Sequence, residues 1–209
     1  MDPNFLITAF VALFVVIDPI GLAPLFVALT AGMSPQKRRQ IAVRATLVAV
    51  GVLLMFSIFG EGILNFIGIS MPAFRIAGGI LLFLTALDML FERRQRRRED
   101  QAVDDPDDDP DDDPSVFPLA IPLIAGPGAI ATVILLIGQT EDTAGYAAIM
   151  GVLAAVLALV FVMFLIAGQL ERLLGRTGIT VVTRLLGMLL AALSVQFVLD
   201  GLKGFGLGG

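Results

Sequence analysis

Two short runs put a helix-breaking turn inside stretches otherwise apolar enough to cross a bilayer: Asp18-Pro19-Ile20-Gly21, with Pro24 close behind, and Ala125-Gly126-Pro127-Gly128-Ala129. Asp is a good N-cap and Pro a good first helical residue, so the first run reads as one half-helix ending near Ile17 and another starting at Pro19. In the second, Gly126 can cap and Pro127 can again start a half-helix, while Pro118 and Pro122 loosen the approach. A helix start at membrane depth presents free N–H groups and the positive end of the helix dipole, which hold an anionic group without a fixed cation. Asp18, Pro19, Ile20 and Gly21, together with Gly126, Pro127, Gly128 and Ala129, are therefore the candidate substrate-binding residues. Kinks without a ligand are the plain alternative. Six Pro and Gly residues gathered at two breaks favour a site.

Asp18 is the charge that most needs a reason. It lies roughly 21 Å along a helix from the outer end of its segment, well inside the hydrocarbon. An unpaired carboxylate there costs at least about 2.5 kcal/mol, so it must be capped, paired, hydrated or protonated. Capping its own half-helix is one role; coordinating a substrate ammonium or carrying a coupling proton is the other, and the sequence leaves both open. Arg75 and Arg184 sit a few residues inside opposite faces. Each can snorkel to its interface or pair with Asp18, Asp88, Glu61 or Asp200 and lock one side of a cavity. Arg75, Arg184 and Asp88 are the gating candidates. Thr85, Thr132, Ser194 and Gln196 add neutral polar groups within spans.

Composition limits the rest of the chemistry. The chain has 57% hydrophobic residues, 16% charged residues and a mean hydropathy of +0.91, which marks an integral membrane protein. It has neither Cys nor His. Disulfides, thiolate nucleophiles, imidazole bases and the usual zinc ligands are thus excluded, and an enzyme is not expected. No Gly-x-x-x-x-Gly-Lys-Ser/Thr loop occurs, so ATP does not drive this chain. No cofactor, metal or nucleic acid is expected.

The elements that position the breaks follow from hydropathy. Six segments near 4–28, 41–64, 69–91, 117–138, 146–170 and 179–203 each reach the roughly 20 apolar residues a span requires. The connections after the first, third and fifth hold Lys37, Arg38 and Arg39, then Arg93, Arg94, Arg96, Arg97 and Arg98, then Arg172 and Arg176; the opposite side has Lys203. That bias puts the three basic connections in the cytoplasm and both termini outside.

The breaks recur at an offset of about 109 positions, as do Gly68-Ile69-Ser70 with Gly178-Ile179-Thr180 and Arg75-Ile76-Ala77-Gly78 with Arg184-Leu185-Leu186-Gly187. Three spans per repeat is an odd number, so the second repeat must enter the membrane inverted. The expected fold is an all-α polytopic membrane protein, a 3+3 inverted repeat with a broken first helix in each repeat. Within a single membrane domain, 1–209, residues 1–91 form repeat 1, 92–116 a cytoplasmic acidic linker and 117–209 repeat 2. The linker run from Asp104 to Pro114 cannot bury apolar surface and reads as disordered. Its acidity, with the absence of His, points to a salt-loving source.

The DPIG and AGPGAI elements, Phe74-Arg75-Ile76-Ala77-Gly78-Gly79-Ile80 and the stretch from Arg184 to Gln196 together resemble the MarC family of six-span membrane proteins. The resemblance spans the chain except the acidic linker. It implies a plasma-membrane protein related to LysE-type exporters, some members of which are described as neutral amino acid transporters; it carries no implication of antibiotic resistance. The function expected is a secondary transporter of small neutral amino acids or similar zwitterions, coupled to H⁺ or Na⁺. The alternative is a passive channel whose half-helices meet at the midplane. Substrate, direction, coupling ion and oligomeric state stay open.

The orientation is testable in this cysteine-free chain. Single cysteines at Asn65 and Asp142 should react with an impermeant thiol reagent from outside intact cells, and those at Gln36, Asp104 and Gly175 only after the cells are opened. Outside labelling at Asp104 would reverse the topology.

Overall fold

The structure is a computed structural model that describes residues 3–91, 93, 113–140 and 142–206. Residue 92 and residues 94–112, which make up most of the expected linker and include its acidic run from Asp104 through Asp112, lie outside the described residues.

Helix starts fall where local capping chemistry places them. α1 (Pro3–Ile17) and α2 (Pro19–Leu29) meet at Asp18 and run on as one 27-residue span. α3 (Pro35–Ile67) begins where Ser34 accepts from Lys37 N–H at 3.3 Å with Pro35 in the first turn, and closes on Gly68 at φ 87°. Only glycine takes that left-handed cap without strain. The helix begins six residues earlier than hydropathy indicates, because the Ser-Pro start signal lies in a polar first turn. At 33 residues it is roughly 50 Å long and overshoots a hydrocarbon core of about 30 Å, lifting Lys37, Arg38 and Arg39 clear of it. α4 (Met71–Leu90) is capped by Ser70.

The fourth span departs from a plain broken helix. Residues Ser115–Ile124 form wide turns closed at five-residue spacing (Leu119 N–H to Pro114 O, 3.2 Å; Ala125 N–H to Ala120 O, 2.8 Å), with extended backbone at Phe117 and Ile121 and cis bonds before Pro118 and Pro122. α5 (Pro127–Ile137) leaves this segment at 53°. α6 (Thr143–Leu165) starts on an Asp142 cap (Gly145 N–H, 2.7 Å) and stops at a turn on Ile166, five residues before the expected end. α7 (Ala167–Gly204) is interrupted at Gly175, φ 61°, leaving Thr177–Gly204 as its spanning part. Among the described residues, five helices are long and apolar enough to cross a membrane, or six with the bent pair Ser115–Ile124 and Pro127–Ile137 taken as one span. The chain is an all-α, multi-pass membrane protein; no strand occurs among the described residues.

α4 and α7 pack antiparallel through glycines. A Cβ at Gly79 would stand 2.8 Å from Ser194 O and 2.8 Å from Val198 Cγ2; one at Gly187 would stand 3.3 Å from Ala86 O and 2.9 Å from Met89 Cβ. Lipid tails are as apolar as leucine, so close backbone approach at small residues carries helix association here. The two sets of contacts are reciprocal, each helix seating a glycine against the other's backbone.

The remaining packing also crosses between the halves. α3 lies against Ser115–Ile124 and α5, and α6 lies against α1 and α2, whereas helices of the same half touch each other little. Arg44 of α3 pairs with Asp113 at the entry to the second half. Burial works against the Asp113 charge, but hydrogen bonds from Ser115 and Arg44 outweigh it and hold the carboxyl below its usual range. The tie is therefore complete above about pH 4 and lost as pH falls through the lowered value.

Neither half is complete alone. Residues 1–103 and 104–209 expressed as separate chains should co-purify only when made together, and Gly79→Leu should abolish that association because the facing atom is a backbone carbonyl. Gly51→Leu, at an exposed position where an added Cβ meets nothing within 4 Å, should leave it intact. Stable insertion of a lone half would contradict the interlocked packing.

Candidate functional site

The first break is a self-contained cap. Asp18 adopts φ 58°, ψ 65°, the only positive φ outside glycine among the described residues. Asp tolerates this left-handed conformation better than most residues because its short polar side chain can bond locally. The carboxylate folds back and accepts from Gly21 N–H at 3.1 Å, while Asp18 N–H still donates to Phe14 O at 2.9 Å and Asp18 O accepts from Leu22 N–H at 3.0 Å. The helical ladder is thus nearly continuous through the break. Gly21 is required for it, since a Cβ there would stand 2.2 Å from Asp18 Oδ2. Asp18, Pro19 and Gly21 are buried and Ile20 half-buried.

The second break is built the other way. α5 starts at Gly126 with Pro127 in its first turn and receives no side-chain cap. Pro127 is exposed, Gly126 and Gly128 are half-buried and Ala129 is buried. Irregular backbone at membrane depth is tolerated where protein encloses it or it lines a water-filled cavity. On the approach, Pro122 O faces Gly126 at 2.4 Å from where a Cβ would be. The turns of this segment close at five-residue spacing, and the residue five beyond Pro122 is Pro127, which has no N–H to give. An acceptor and a pair of donors, the N–H groups of Gly128 and Ala129, thus flank one break.

The two breaks meet. A Cβ on Gly128 would stand 3.2 Å from Val16 Cγ1, 3.7 Å from Leu82 Cδ2 and 4.0 Å from Thr85 Oγ1, so the α5 start abuts the end of α1 and the middle of α4. Thr132, fully buried, donates to Gly128 O at 2.8 Å, and Thr85 donates to Leu81 O at 2.9 Å. Both hydroxyls serve their own helices.

The gating candidates do not assemble into one cluster. Arg75 is half-buried, its Nε buried without a hydrogen-bond partner, and it forms no ion pair among the described residues. Arg184 is exposed on α7 and Asp88 half-buried on α4. Asp200 is taken by Lys203 (3.7 Å) and Gln196 (2.9 Å). Arg38, Arg39 and Arg172, which in the sequence mark only topology, line a cavity of about 330 Å³ with Phe26 and Phe164. A second cavity of about 290 Å³ holds Glu61 and the Ser57–Tyr146 hydroxyl pair, 3.0 Å apart. Nothing in the spacing along the chain pairs these residues.

The chain matches the family described as MarC family integral membrane protein over residues 3–205. It is 37% identical over 201 residues to the UPF0056 membrane protein YvbG of Bacillus subtilis, covering 96% of this chain and 95% of that one. It is 38% identical over 199 residues to a UPF0056 membrane protein of Archaeoglobus fulgidus (95% and 92%) and 36% identical over 202 residues to the UPF0056 inner membrane protein YhgN of Escherichia coli (96% and 97%). No solved structure matches.

The cap makes a non-additive prediction. Asp18→Asn should be near neutral in thermal unfolding in detergent, since Asn both caps and accepts a left-handed backbone. Asp18→Ala should cost about 2 kcal/mol from the lost cap and the left-handed strain. Gly21→Ala should cost a similar amount by expelling the carboxylate, and the Asp18→Ala/Gly21→Ala double variant no more than Asp18→Ala alone. Additive losses would show that the two residues act separately.

Proposed function

The chain belongs to the MarC family of integral membrane proteins, and from that membership we propose that it is a secondary transporter of small neutral amino acids or similar zwitterions. The observation that most supports this is the contrast between the breaks: the α2 start is filled by Asp18, whereas the α5 start is uncapped and partly exposed. The carboxylate of the substrate would take the N–H groups of Gly128 and Ala129, aided by the positive end of the α5 dipole. Its ammonium would take Pro122 O, the acceptor that Pro127 cannot satisfy. Donors and acceptor within one turn suit a molecule whose opposite charges are separated by a single carbon.

In this scheme Asp18 is a positioning residue. It holds the end of α1 so that Val16 closes one wall of the site. The six spans would form two inverted repeats rocking about the site, with the basic connections cytoplasmic and the termini outside.

The test is uptake of labelled glycine, alanine and serine by protein reconstituted in liposomes with imposed H⁺ or Na⁺ gradients. Accumulation above equilibrium that collapses with the gradient is expected; equilibration alone would establish a passive channel, and no uptake of any member would overturn the substrate class. Gly128→Val should reduce uptake at least tenfold by filling the contact with Val16. Pro127→Ala should raise the KM several-fold by returning an N–H to Pro122 O.

A further inference from the structure

The Arg38 and Glu61 cavities lie at opposite ends of the bundle. Arg38 lines one and Ile58 the other, both on α3, which places them roughly 30 Å apart along that helix. At the repeat offset of about 109, within two residues, their linings superimpose: Phe26 falls on Ile134, Arg38 on Tyr146, Leu165 on Phe56 and Arg172 on Glu61. The same location in the two halves is thus hollow at both ends, with opposite chemistry.

At the basic end the chemistry is built inward. Arg38, half-buried, lays its guanidinium over the ring of Phe26, 5.7 Å from the centroid. Phe26 in turn stacks on Phe164 at 4.4 Å and 9°, and both rings are 1% exposed. A topology signal alone would leave Arg38 pointing at solvent or headgroups. Held against an aromatic face, a guanidinium keeps its fork of N–H donors free at the edge, the geometry that grips an oxyanion with two parallel bonds. Arg39 and Arg172 line the same cavity, and among the described residues its lining holds no Asp or Glu. Three cations sharing about 330 Å³ repel one another until an anion enters. The matching cavity instead offers Glu61 and two hydroxyls that bond each other.

We infer that the Arg38 cavity is a binding vestibule for a small oxyanion, a carboxylate or a phosphate, and that the Glu61 cavity is its counterpart mouth without that capacity. The vestibule's role as a mouth rests on the transport reading; its anion binding does not. The oxyanion comes either from the carboxylate of an amino acid or from a lipid phosphate headgroup at that face.

A single cysteine at Gly168, which lines the basic cavity and where an added Cβ meets nothing within 4 Å, reports on the site in this cysteine-free chain. The purified full-length protein, in nanodiscs of phosphatidylcholine, is treated with anionic and cationic thiosulfonates of equal size. The anionic reagent should react about tenfold faster at Gly168→Cys, with no such preference at Ile58→Cys in the other cavity. Arg38→Gln should collapse the preference; Arg39→Gln and Arg172→Gln, at exposed positions, should each reduce it and serve if Arg38→Gln does not fold. Protection by millimolar alanine in phosphatidylcholine identifies an amino acid carboxylate as the occupant. Protection on changing to phosphatidylglycerol, whose phosphate lacks the choline cation that offsets it in phosphatidylcholine, without alanine and abolished by Arg38→Gln, identifies a lipid phosphate. Equal rates for the two reagents at Gly168→Cys, or a preference unmoved by all three arginine variants, would overturn the vestibule. Wild-type uptake with equal rates sinks the vestibule alone, whereas charge preference without uptake of any amino acid leaves the anion site and sinks the transport reading.

Discussion

Backbone polar groups inside a bilayer must be satisfied by the protein, and the rest of this structure depends on how two interrupted helices meet that demand. At Asp18 the side chain replaces what the break removes, so α1 and α2 run on as one span. At Gly126 nothing replaces it: Pro127 withholds an N–H from Pro122, no side chain caps α5, and the span bends by 53°. The same constraint, met in one half and left open in the other, separates a structural break from a candidate site.

The open break is held in place by parts of the chain far from it. Val16, Leu82 and Thr85 surround Gly128, and α3 backs the irregular segment. Because each half packs chiefly on the other, the position of a helix start in the second half is set by the first. In the proposed carrier, a site shared between two interlocked halves would change shape whenever they shift, as alternating access requires. Glycine contacts between α4 and α7 bring the two backbones close, with Val198 and Met89 of the facing helices seated against Gly79 and Gly187.

Charge is distributed with equal economy. Among the described residues Asp18 is the most deeply buried acid or base, and it is bonded within its own turn. Guanidinium groups concentrate instead at one end, where Arg38 is drawn onto the stacked Phe26–Phe164 pair. The pathway proposed above thus meets a basic mouth at one face and a hydroxyl-lined, acidic one at the other.

Much of this was legible from local signals. Hydropathy located the apolar spans, because burial in lipid demands apolar runs of fixed length; Pro and Gly located both breaks, because they withdraw donors or side chains wherever they stand; Asp18 was recognisable as a cap from its place before Pro19. Ser34-Pro35 likewise marks the start of α3 by its capping chemistry, ahead of the hydropathy boundary. What the sequence left open was decided by contacts between residues some hundred positions apart. Only tertiary structure turned the Asp18 carboxylate onto Gly21 in a left-handed backbone, set Gly128 against Val16, left Arg75 Nε buried without a hydrogen-bond partner, and gathered Arg38, Arg39 and Arg172 around one cavity. Capping and hydropathy act within a turn or a span, so they are written in neighbouring residues; which helix faces which, and whether a polar group ends up filled or open, depends on packing that no local pattern encodes.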